Sequence, residues 1–171
     1  MGENSFTHLL LGKERRKLKN DSIVLSSVHD QRSFDELFSL IFHYERPLVM
    51  RAADAVEKIT RRQRNYLAPH KGQLLSVLKS ADHKELKWHI AQLISRIALD
   101  KKELEDVWHT LQYWALNPNE SKIVRVNSLQ GLFDLCKDHP VFKTDFGEIL
   151  ARMEHELVPS IQARIRKLKK K

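Results

Sequence analysis

RPLVMRAADAVEKI (46–59) decides the fold. Within it Leu48, Ala52, Ala55, Val56 and Ile59 fall at i, i+4, i+7, i+8 and i+11, which is one stripe of an α-helix. Adding 38 to each number lands in KELKWHIAQLISRI (84–97) on Leu86, Ile90, Leu93, Ile94 and Ile97. Adding 38 again lands in SKIVRVNSLQGLFDLC (121–136) on Val124, Ser128, Gly131, Leu132 and Leu135. Every one of these positions is small or apolar, so the spacing is that of a repeat. A second row, Met50, Trp88 and Val126 with Ala53, Ala91 and Leu129, runs beside the first. Helices apolar on two sides must be covered on two sides. A stack of helix pairs does this, because each helix meets its own partner and the next repeat.

The partner helices are read between these segments. Phe34, Leu37, Phe38 and Ile41 follow a capping box of Ser33 with Glu36. Leu74, Leu75 and Leu78 follow Pro69. Leu104, Val107, Trp108, Leu111 and Ala115 follow Asp100 with Glu103, and Phe146, Ile149, Leu150, Met153 and Leu157 follow Thr144. Asn117-Pro118 and His139-Pro140 mark turns. Ile161, Ile165 and Leu168 keep part of the stripe on a basic last helix, and residues 22–28 supply an N-terminal half-repeat. The pattern predicts an all-α fold, a short α-α superhelix of about four helix pairs with no strand. The repeats lie near 33–62, 67–99, 101–138 and 143–170, within a repeat domain over 20–171 that follows a basic segment, 1–19.

Composition supports this and bounds the function. Glycine and proline number five each in 171 residues, too few for the many turns of a sheet protein. Apolar runs are as short as Leu9-Leu10-Leu11, which cannot span a membrane. The single cysteine, Cys136, excludes an internal disulfide and suits a reducing compartment, so a cytoplasmic protein is expected. The net charge of +8 is uneven: residues 13–19 carry +4, residues 164–171 carry +6, and the remainder carries −2. A nucleic-acid binder concentrates basic charge along one face or groove, whereas here it gathers at the two ends.

The three in-register runs, followed by PSIQARIRKLKK (159–170), resemble a family of bacterial HEAT-repeat proteins of unassigned function, over roughly residues 20–171. The resemblance implies an armadillo-like superhelix and no chemistry. Lys87 and Arg125 follow the first stripe residue of their repeats where Val49 stands in the first, so a basic ladder is incomplete. In such arrays the second helix of each pair lines the concave side. Its remaining face reads Arg51, Asp54 and Lys58, then His89, Gln92 and Arg96, then Asn127, Gln130 and Asp134. The i, i+3, i+7 spacing puts each trio on one side of its helix. Mixed signs and neutral hydrogen-bonders point to a protein or peptide partner. The alternative is nucleic-acid binding of the kind seen in HEAT-like DNA alkylation-repair proteins, through basic clusters such as Lys58, Arg61, Arg62 and Arg64. Cations at a helix C-terminus also have a structural use, since each stabilises the helix by about 0.3–1 kcal/mol.

No catalytic constellation emerges. The sequence has no HExxH, CxxC, phosphate-cradling glycine loop or GxSxG, and no two of its nine histidines lie three to five residues apart. Neither a metal nor a cofactor is expected. Asp106, Trp108, Tyr113 and Trp114 suggest a base-flipping site only superficially. Trp108 belongs to the core stripe, and Asp106 lies about 200° away on the helical wheel. Cys136 adjoins the core residue Leu135 and reads as a buried thiol.

Overall fold

The computed structural model describes residues 5–11 and 24–170; the basic run 13–19 and residues 22 and 23 of the expected half-repeat lie outside the described residues. The chain divides into two compact units, residues 1–67 and 68–171. Among the described residues every regular element is helical, and the all-α repeat expected from the 38-residue spacing is present.

The first unit holds α1 (Ser5–Leu11), one helical turn over 24–27, α2 (Gln31–Ser39), a 3-10 turn (Leu40–Phe42) and α3 (Arg46–Thr60). Phe34, Leu37, Phe38 and Ile41 are buried with Leu48, Ala52 and Val56, as the stripes require. Helix α1 packs on α2 and α3 and buries Phe6 and Leu10. The cap of α2 differs from expectation. The box is formed by Asp30 and Ser33, not Ser33 and Glu36: the Ser33 amide donates to Asp30 Oδ1 at 2.8 Å and the Asp30 amide donates to Ser33 Oγ at 3.2 Å. An aspartate three residues upstream offers a full carboxylate to the first turn, so the helix starts earlier. Glu36 is thereby released from capping and accepts from Ser5 Oγ at 2.9 Å.

The second unit contains α4 (Lys71–Ser80), α5 (Lys84–Leu93), a 3-10 turn (Ile94–Arg96), α6 (Lys101–Leu116), α7 (Lys122–Asp138), α8 (Lys143–Arg152) and α9 (Pro159–Leu168). Helix α7 is its centre and packs against α5, α6, α8 and α9. Asp100 and Glu103 form the expected capping box of α6. Of the fifteen stripe positions, twelve are buried; Ile59, Leu86 and Ile97 are half-buried. Helix α5 ends at Leu93 and tightens into the 3-10 turn, so Ile97 lies on extended chain instead of a helical face. The chain must be redirected here, because the Asp100 cap of α6 is only three residues further on. Leu157 is also corrected: α8 ends at Arg152, the chain turns at Met153, and Leu157 is 94% exposed.

Two charged contacts tie successive pairs of this unit together. Lys87 Nζ binds Glu120 and lies 5.7 Å from the centre of the Trp114 ring. Arg125, whose side chain is almost fully buried, binds Glu156 and donates from Nε to the Ala115 carbonyl at 3.0 Å. In each case the residue after the first stripe position reaches an acid in the segment leading to the next second helix. The partial ladder read in the sequence is thus a set of rungs between repeats.

At Gly131 the fit leaves no room for a side chain, since a Cβ there would stand 2.6 Å from the Ala91 carbonyl oxygen and 3.0 Å from Leu111 Cδ1. Glycine to alanine in a helix interior ordinarily stabilises by about 0.8–1 kcal/mol. Gly131→Ala should instead destabilise, by about 1–3 kcal/mol, as overpacking against backbone does. Leu132→Ala and Ile94→Ala should each cost about 2–5 kcal/mol. Urea unfolding of the three variants checks this, and a stabilised Gly131→Ala would refute the close approach of α7 to α5.

Acid should also weaken the fold. The Ser33 amide holds the Asp30 carboxyl below its ordinary 3.8, and Lys71 and Lys169 hold Glu103 and Glu154 below their ordinary 4.5. A depressed folded pKa gives stability that is present above the unfolded value and lost as pH falls through the folded one. The melting temperature is therefore expected to decline below about pH 4.5, and Glu103→Gln should flatten that decline in thermal melts taken across the acid range.

Candidate functional site

The nine polar positions of the second helices fall in both units and are used differently in each. In the first unit Arg51 is exposed on α3 yet donates to the Leu10 carbonyl at the end of α1. Asp54 and Lys58 pair at 2.7 Å, four residues apart on the same face. Two of these three side chains thus face solvent as a neutralised pair.

In the second unit His89 departs from expectation. It is 1% exposed and its ring lies against that of Trp88, so it belongs to the core of α5. The 38-residue register from Arg51 predicts an outward position for it. The covered side of α5 is wider than the stripe: His89 is buried along with Ile90, Ala91 and Leu93, while Leu86 near the helix start is half-buried. Gln92 remains half-exposed on α5, while Arg96 lies in the following 3-10 turn, off the helical row. On α7, Asn127 donates to the Ile123 carbonyl at 2.8 Å, and Gln130 donates to Asp134 Oδ1 at 2.9 Å. Arg164 of α9 donates to Gln130 Oε1, and its guanidinium pKa is lowered by burial against the opposing pull of Asp134. Arg164 is a member the sequence reading missed. It sits 38 residues after Val126, in the row that is otherwise apolar, and a charge at that register was the available signal.

The basic cluster after α3 is partly satisfied internally. Arg61 binds Glu57 at 2.9 Å, and that hydrogen bond raises the guanidinium pKa; Lys58 is held by Asp54. Arg62 and Arg64 are exposed. Beside this cluster lies a cavity of about 650 Å³, with Leu25, Val28, Ile59 and Tyr66 supplying its apolar lining and Lys58, Arg61 and Arg62 its charge. A smaller groove of about 390 Å³ in the second unit is bordered by His109, Tyr113 and Arg152, with Tyr113 64% exposed.

The residues weighed for chemistry do not converge. Trp108 is buried and stacks on Phe142 with centroids 4.2 Å apart, whereas Asp106 is exposed and lies 3.8 Å from Lys79. Cys136 is buried and unbridged, and burial pushes its thiol pKa up, away from the nucleophilic thiolate. Among the described residues no three His, Cys, Asp or Glu side chains are grouped as metal ligands, and no helix is long and apolar enough to cross a membrane.

Comparison with curated proteins and with solved structures finds no match. Comparison with family models does: the model of the HEAT repeat domain matches residues 9–171, nearly the whole chain. With stacked helix pairs, the in-register stripes and the match in agreement, the chain belongs to the HEAT repeat domain family.

Proposed function

We propose that the chain is a non-catalytic interaction scaffold of the cytoplasm that holds a protein or peptide partner on the polar sides of its second helices. One observation carries this reading. In the second unit Gln92, Arg96, Asn127, Gln130 and Asp134 stay half-exposed while the stripes behind them are buried. A helical repeat uses its apolar residues for stacking, so the polar residues left on successive second helices are offered to a partner several repeats at a time. Membership of the HEAT repeat domain family supports the same reading, since such repeats commonly serve as interaction scaffolds. Mixed charge and neutral amides complement a protein surface better than a uniform phosphate backbone. Arg51, Asp54 and Lys58 form the corresponding row on α3 of the first unit; His89, being buried, takes no part.

Nucleic-acid binding is the second reading, favoured by the exposed Arg166, Lys167, Lys169 and Lys170 at the end of α9. Salt separates the two, because phosphate contacts make log K fall linearly with log salt. Truncating α9 would remove the buried Ile165 and Leu168, so the charge must be removed by substitution.

The test is affinity capture, with nuclease present, by three forms of the chain. Replacing Gln92, Arg96 and Asn127 together by Ala should change stability by no more than about 0.5 kcal/mol per site and abolish capture. Replacing the exposed Lys79 and Glu105 by Ala should leave capture intact. The scaffold reading gives way to the second if capture needs nucleic acid. The same holds if duplex DNA binds at physiological salt to a form in which Arg166, Lys167, Lys169 and Lys170 are Gln.

A further inference from the structure

The cavity beside the end of α3 has two parts that differ in chemistry. Leu25, Val28 and Ile59 form an apolar wall, and the Tyr66 ring closes one side. That side is preformed: Tyr66 packs on Phe34 with centroids 5.2 Å apart, its hydroxyl donates to the His29 carbonyl at 3.3 Å, and Gln31 Nε2 donates to the Tyr66 carbonyl at 3.0 Å. The same lining carries three cations: Lys58, Arg61 and Arg62 border the cavity, and among the described residues no acid does.

The amount of charge decides what can fit. Lys58 and Arg61 are each matched by a carboxylate outside the cavity, Asp54 and Glu57. Arg62 stands exposed at the rim. The C-terminus of α3 adds about half a negative charge at this point. Among the described residues the surplus is therefore small, less than one full positive charge, which suits one carboxylate and not a run of phosphates, each of which asks for a cation of its own. The two internal pairs also show the local geometry accepting carboxylates at 2.7 and 2.9 Å. A volume of about 650 Å³ exceeds what a lone carboxylate fills, and the apolar wall calls for an aliphatic neighbour.

We propose that this cavity is the docking site for an acidic segment of a partner protein, in which a Glu or Asp side chain meets Arg62 and an adjacent aliphatic side chain seats on Leu25, Val28 and Ile59. The inference rests on the scaffold reading only in taking the natural occupant to be a segment of a protein. It places the anchor at the end of α3, where Lys58 of the polar row also borders the cavity.

A short, acetylated and amidated peptide of alternating Leu and Glu is the probe, titrated into the full chain and followed by amide chemical shifts. Shifts are expected to concentrate in residues 25–29 and 58–66. Substituting Gln for Glu in the peptide, or Arg62→Glu in the protein, should weaken binding by at least about tenfold, the worth of one charge-assisted contact. Arg62→Lys should restore most of it. Arg62 is exposed, so both variants should melt with the wild type. Equal binding of the Gln peptide, indifference to Arg62→Glu, or tighter binding of a DNA duplex to the same amides at physiological salt would overturn the proposal. The titration needs no cellular partner, so its failure leaves the scaffold reading standing. If peptide binding is lost in Arg62→Glu but partner capture is untouched, the anchor lies elsewhere and this inference falls alone.

Discussion

Between α5 and α7 there is no space for a β-carbon at position 131: the Ala91 carbonyl oxygen and the Leu111 methyl already occupy it. Two helices that approach this closely are locked in rotation and in translation, because any slide would drive a side chain into backbone. Much of the second unit follows from that constraint. Helix α7 is also the one on which α6, α8 and α9 pack, so its placement against α5 sets the position of its other neighbours. Ser128 and Gly131, the two least apolar members of the stripe, are tolerated at the centre of the unit for the same reason: the stack needs small residues there more than it needs oily ones.

Charge then places the connections. Lys87 with Glu120 and Arg125 with Glu156 each join a second helix to the segment that precedes the next one. Removing such ions from water costs several kcal/mol per ion, which their attraction roughly offsets, so little net stability follows. The pairs do impose position. A buried guanidinium needs its carboxylate and its backbone carbonyl where Arg125 finds them, and that requirement holds the turn after α8 against the start of α7. Val49 occupies the same register in the first unit and forms no such rung, which is why the ladder is confined to the second unit.

The same economy shapes the surface. Some of the polar face is taken up within each unit: Gln130 and Asp134 by Arg164, Arg51 by the Leu10 carbonyl near the end of α1. Gln92, Arg96 and Asn127 are half-exposed members of the same rows. The cavity in the first unit arises differently. It is made where α3 stops and the chain turns back, with Tyr66 tied to His29 and to Gln31 at the start of α2, and its described lining comes from two separate stretches of sequence.

The helical class, the repeat length, the buried stripes and the Asp100–Glu103 cap were all legible in the sequence, because each is a local property. Periodicity records which side of a helix faces inward whatever lies there, and a capping box closes within four residues. What the tertiary structure alone decided is where helices end and which positions beside the stripes are covered. Ile97 and Leu157 match their stripes in number but fall beyond helix ends set by the next cap or turn. His89 matches a polar row but is covered in the core, and Arg164 matches an apolar row but reaches across to α7. A repeat of 38 residues carries the register from one segment to the next, yet it records only one side of each helix. Whether a flanking position is covered depends on the neighbouring helices, which come from distant stretches of sequence.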